Sequence, residues 1–134
     1  MAERRMFAKS IVLADQFTAL PAKTQCLYYA LGMNADDDGF VGNPKAVCRL
    51  SGATAKDLNL LRDKGYLLFF DSGVIAITHW RVSNTIRADR YKPSVYMKER
   101  SMVMANEAGE YVRFQRSGDM PAGIPDVTPL GYPM

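Results

Sequence analysis

Asn43-Pro44-Lys45-Ala46-Val47-Cys48-Arg49-Leu50-Ser51-Gly52-Ala53-Thr54-Ala55-Lys56-Asp57-Leu58-Asn59-Leu60-Leu61-Arg62-Asp63-Lys64-Gly65 is the stretch on which the architecture turns. Asn43 caps a helix whose first position holds Pro44, where a missing N–H costs nothing, and Ser51-Gly52 stops it after about two turns. Thr54-Ala55-Lys56-Asp57 has the form of a capping box and starts a second helix, with Ala55, Leu58 and Leu61 on its inner stripe and Gly65 as its left-handed stop. Two short helices joined by a Gly-containing turn make a helix-turn-helix candidate. Tyr66-Leu67-Leu68-Phe69-Phe70 and Val74-Ile75-Ala76-Ile77-Thr78 then flank Asp71-Ser72-Gly73, which reads as a β-hairpin.

Upstream, Pro21 sits in the first turn of a helix over Lys23 to Met33. Cys26, Leu27, Tyr28, Tyr29, Ala30, Leu31 and Met33 make that helix apolar nearly all round, so it is central to the core or shared with a partner chain. Asn34-Ala35-Asp36-Asp37-Asp38-Gly39 reads as a solvated turn. Its acids lack the alternate spacing and closing Glu of a calcium loop, so no metal is expected there. With a short strand at Phe40-Val41, the order helix, strand, helix, turn, helix, hairpin predicts an α+β winged helix-turn-helix. Bundles lack the hairpin, and parallel sheets need longer crossovers.

The 134 residues suit one domain or a small domain with a tail. Four segments are expected: an N-terminal arm (1–20), the winged helix-turn-helix domain (21–80), a basic extension with a small hairpin around Asn106-Glu107-Ala108-Gly109 (81–117), and a disordered tail (118–134), in which seven of seventeen residues are Gly or Pro. A hydrophobic fraction of 48% with 23% charged residues excludes bulk disorder. No apolar run approaches the roughly 18 residues of a membrane span, and no signal peptide is apparent, so a cytoplasmic location is expected. Cys26 and Cys48 form no C-x-x-C pair and read as small buried hydrophobes.

Charge is unevenly spread. Residues 1–80 carry nine Lys/Arg against eight Asp/Glu, residues 81–100 six against two, and residues 101–134 two against four. The excess therefore lies in Arg81, Arg87, Arg90, Lys92, Lys98 and Arg100, with Trp80, Tyr91 and Tyr96 adjacent or interleaved. Such a stripe can neutralise phosphates and stack on bases; equally, it can be a solvated linker. On the second helix of the turn, Lys56 and Asn59 share the outer face with Asp63, and Arg62 flanks it. Lys can reach guanine, Asn can pair with adenine, and Arg can hold phosphate. Asp63 and an exposed Leu60 count against this, and the hairpin carries Asp71 and no cation, so little grip is expected from it.

No catalytic constellation is present. His79 is a lone imidazole at a strand end and reads as structural, and no nucleophile elbow or Gly-rich phosphate loop accompanies it. The chain is expected to be a binding protein with no enzyme activity and no cofactor.

Arg5-Met6-Phe7, Leu20-Pro21 with Leu27-Tyr28 and Leu31-Gly32-Met33, Ala35-Asp36-Asp37-Asp38-Gly39-Phe40-Val41, Gly73-Val74-Ile75, and His79-Trp80-Arg81 with Asn84, Ile86 and Asp89-Arg90-Tyr91-Lys92 resemble the N-terminal domain of phage replisome organizer and DnaD-like replication initiation proteins. The resemblance covers about residues 4–100. It implies a winged-helix domain that self-associates, works in primosome assembly and helps position helicase-loading proteins. In two-domain members a separate C-terminal domain carries much of the DNA and helicase contact; only 34 residues follow Arg100 here, so DNA binding and self-association are what carry over. The self-association surface expected is Met6, Phe7, Ile11, Val12 and Phe17 of the arm with Tyr28 and Leu60. The competing expectations are a protein-interaction module without DNA affinity and a phage transcriptional regulator.

Overall fold

The structure is a computed structural model that describes residues 4–86 and 88–113. The expected tail and Arg87 lie outside the described residues. The fold is mixed α+β. Helices α3 (Ala22–Asn34), α4 (Pro44–Ser51) and α5 (Ala55–Asp63) pack on a small antiparallel sheet of β1 (Phe40–Val41), β2 (Leu67–Phe69) and β3 (Ile75–Ile77).

The local signals act as their chemistry requires. The Asn43 side chain accepts the Ala46 amide at 3.4 Å, and α4 ends on Gly52 at φ +75°. The Thr54 amide donates to the Asp57 carboxylate at 3.0 Å, closing one half of the capping box. Pro21, expected within the first turn of α3, stands one position ahead of it as the cap residue.

β3 is the central strand. It pairs with β2 through Leu67↔Ile77 and Phe69↔Ile75, and with β1 through Phe40↔Ala76 and Val41↔Ile75. Its three residues are all buried, which explains why this segment is continuously apolar rather than alternating. On the other layer, Leu27 and Leu31 of α3 meet Leu58 and Leu61 of α5 in one core that also takes in Tyr66, Leu67 and Trp80.

The expected arm is part of the body. Residues 4–8 run extended, followed by the helical turns α1 (Lys9–Val12) and α2 (Asp15–Thr18). Phe17 is fully buried, edge-on to Tyr28 at 5.1 Å and to Tyr66 at 5.5 Å. Phe7 lies against Gly32, where an added Cβ would come within 2.6 Å of its ring; that close approach requires glycine.

Beyond the sheet come α6 (Trp80–Ser83), α7 (Met97–Arg100) and a hairpin of β4 (Val103–Ala105) with β5 (Tyr111–Arg113). Its turn is held by the Asn106 side chain, which accepts the Ala108 and Glu110 amides. Tyr111 docks the hairpin: its amide donates to Thr78 O at 2.8 Å, its hydroxyl to Asp38 O at 2.7 Å, and its ring stacks on Phe40.

Candidate nucleic-acid interface

α5 buries Leu58 and Leu61 and exposes Lys56, Asn59, Arg62 and Asp63. Two residues differ from expectation. Ala55 is exposed, because it begins the helix before the first turn reaches the core. Leu60 is half-buried against the core and does not project into solvent. A groove of about 570 Å³ brings Lys56, Asn59, Leu60 and Asp63 together with Pro21 and Lys23 from the start of α3. Nothing in linear sequence relates Lys23, at the start of α3, to α5. The physical link is Thr24, fully buried, whose hydroxyl donates to Asp57 at 2.6 Å.

The acids on this face are engaged. Asp63 pairs with Arg62 Nε at 3.2 Å, and the Arg62 guanidinium lies 4.8 Å over the Phe69 ring. Bonds from Thr24 and Thr54 hold the Asp57 carboxyl below the usual carboxylate range. The exposed groups with unfilled donor capacity are therefore the Lys and Asn heads and the terminal amino groups of Arg62, whose Nε alone meets Asp63; they suit an anionic or base-edge partner.

The Asp36-Asp37-Asp38 segment is not the solvated turn the sequence suggests: Asp37 and Asp38 are fully buried. Asp37 pairs with Arg5 at 3.1 Å and accepts the Lys92 amide at 3.0 Å. The same Arg5 guanidinium donates to Ala35 O and lies 5.2 Å from the Trp80 ring, whose indole N–H donates to Asp37 O. Asp38 pairs with Arg100 at 3.0 Å and accepts the Tyr91 hydroxyl and the Ser94 amide. Asp36 accepts the Asp38 and Phe40 amides and the Ser94 hydroxyl; burial pushes its carboxyl up, and those bonds offset part of the rise. Adjacent buried carboxylates survive because cations and donors from both ends of the chain meet them.

This clasp changes the reading of the basic stripe. Arg100 is half-buried on Asp38 and is a structural cation. Tyr91 spends its hydroxyl between Asp38 and Arg100, and burial with Asp38 alongside raises its pKa. Trp80 is buried, and the Tyr96 hydroxyl lies against Gly42. The interleaved aromatics are thus packing groups, not a stacking platform. Arg81 is half-buried, and Arg90, Lys92 and Lys98 keep exposed side chains.

The expected self-association surface is also redrawn. Phe17 and Tyr28 are core residues with no surface to offer; Phe7, Ile11 and Val12 are half-buried against the core. Met6 is 49% exposed. Cys26, expected to be buried, is exposed, whereas Cys48 is buried. Cys26 shares the outer stripe of α3 with Tyr29 and Met33, which accounts for the helix being apolar all round. His79 is half-buried beside Tyr66, with Nε2 3.2 Å from Glu110; burial lowers its pKa despite that carboxylate. Among the described residues, no helix is long and apolar enough to cross a membrane. Compared with family models, with curated proteins and with solved structures, the chain matches none.

Proposed function

We propose that the chain is a winged helix-turn-helix protein that binds duplex DNA through the outer face of α5 and serves, like the replisome organizer and DnaD-like proteins it resembles, as an accessory protein of replication initiation. The strand order β1-β3-β2, with α4 and α5 inserted between β1 and β2, supports the architecture. The observation that carries the function is the groove joining Lys23, Lys56 and Asn59, with Arg62 beside it. An exposed Asn between cations on a helix of this kind can read adenine while the cations hold phosphates. The role is one of binding, with no chemistry performed on the DNA.

Binding of a fluorescent 30-base-pair duplex, measured by anisotropy at several salt concentrations, tests this. Three phosphate contacts from Lys23, Lys56 and Arg62 give a slope of log K against log[salt] of about −2.7 or steeper. Lys56→Ala with Asn59→Ala weakens binding and reduces discrimination between sequences. No retention of duplex at about 50 mM salt refutes the proposal. The exposed apolar residues Tyr29 and Met33 on α3, with Met6 of the arm, favour self-association as a second property. Light scattering across the micromolar range tests it, and a strict monomer at every concentration refutes it.

A further inference from the structure

Leu60 puts an apolar side chain among the polar heads of the α5 groove. It stands four residues after Lys56 and three before Asp63, so the three share one face of the helix, and Asn59 borders them about 100° round the axis. Leu60 is half-buried: part of it packs against the core, and the rest lines the groove together with Pro21, an exposed ring at the start of α3. The acids of the groove are held in place, Asp57 by Thr24 and Thr54 and Asp63 by Arg62. Their carboxylates repel phosphate oxygens, whereas Lys23 and Lys56 attract them. The Leu60–Pro21 patch therefore suits an uncharged apolar group on a base edge, with the backbone left to the lysines.

We infer that Leu60 and Pro21 receive the C5-methyl group of a thymine in the major groove, in the same base pair as the adenine bound by Asn59 or in its neighbour, so that the protein selects A·T pairs by two contacts of different chemistry. This rests on the reading of α5 as the DNA-contacting helix. In the major groove the thymine methyl is the apolar group among the donors and acceptors that the base edges present, and apolar side chains recognise thymine through it. Leu60 and Asn59 are consecutive on α5, which keeps their two contacts within neighbouring base pairs. Withdrawing one methyl-sized group from water corresponds to about a fourfold gain in affinity. An exposed Leu on a DNA-facing helix, which by charge alone counts against nucleic-acid binding, becomes a reading group on this account. A peptide side chain filling the same patch would leave DNA affinity indifferent to the methyl.

The test compares an A·T-rich 30-base-pair duplex with the same sequence carrying deoxyuridine in place of every thymine, which removes the methyl groups and keeps the phosphates and hydrogen-bonding edges. Wild type binds the thymine duplex more tightly, by about fourfold for one contacted methyl, with the same slope of log K against log[salt] on both duplexes because no phosphate contact changes. Leu60→Ala loses most of that preference. Pro21 is exposed, so Pro21→Ala, which reduces the preference, gives a reading even where a thermal melt shows Leu60→Ala to be unstable. Equal affinity of wild type for the two duplexes, or a thymine preference undiminished in both variants, overturns the inference while leaving the α5 reading standing, provided Lys56→Ala with Asn59→Ala still weakens binding. Failure of the wild type to bind either duplex overturns both.

Discussion

Replacing Arg100 by Met separates the two roles a cation in the 81–100 segment can have. Met retains most of the aliphatic bulk but leaves Asp38, fully buried, without the guanidinium 3.0 Å away. Removing one partner of a buried ion pair costs roughly 3–5 kcal/mol, because the remaining charge is left uncompensated. Asp38 retains the Tyr91 hydroxyl and the Ser94 amide, which places the loss at the lower end, about 3 kcal/mol. For a chain of this length, with about 0.28 kcal/mol/K of unfolding entropy, that lowers the melting temperature by about 11 °C. Urea and thermal unfolding followed by circular dichroism measure it. Adding Asp38→Asn on the Arg100→Met background recovers part of the loss, since the amide needs no counter-charge. A melt unchanged within about 2 °C, combined with a flatter salt slope for DNA binding, would refute the clasp and return Arg100 to the DNA interface.

Three further outcomes follow from the packing. Gly32→Ala puts a Cβ into the Phe7 ring, so the extended arm lifts and limited trypsin digestion cuts after Arg4 and Arg5 faster than in wild type; equal rates would mean that the arm is held without Phe7. Gly39→Ala combines a φ of +88° with a Cβ 2.5 Å from the Trp80 ring and costs 3 kcal/mol or more, on the order of strain plus overpacking, read as a fall in the urea midpoint. Asp57 has a lowered folded pKa, so the stability it contributes is present above the ordinary carboxylate range and is lost as pH falls through the lowered value. Asp57→Asn removes that part of the acid sensitivity, and identical stability profiles of the two proteins from pH 5 to pH 2 would contradict the assignment.

The elements with local signals were legible. Asn43-Pro44, Thr54 to Asp57 and Gly65 act through bonds to residues within a few positions, so α4, α5 and the hairpin could be read from spacing alone. The outward face of Lys56 and Asn59 followed from helical periodicity. What escaped was governed by long-range partners. Whether an acidic run is solvated or buried depends on Arg5 and Arg100, which lie on opposite sides of it in sequence, and a linear charge count cannot show that they cancel it. The same clasp took Arg100 and Tyr91 out of the expected DNA contacts. The sequence leaves Phe17 and Tyr28 between a subunit interface and the core, because apolarity alone does not distinguish a surface shared with a partner from a ring buried at home. Lys23 comes beside Lys56 and Asn59 only through the docking of α3 on α5.

The most direct test of the central claim is a titration of isotope-labelled protein with the 30-base-pair duplex, following backbone and side-chain amide resonances. Perturbations concentrated at Lys23, Lys56, the Asn59 side-chain amide and Arg62 are the predicted result. Perturbations confined to residues 88–100, or none at all at protein and DNA concentrations of about 0.1 mM, would contradict it.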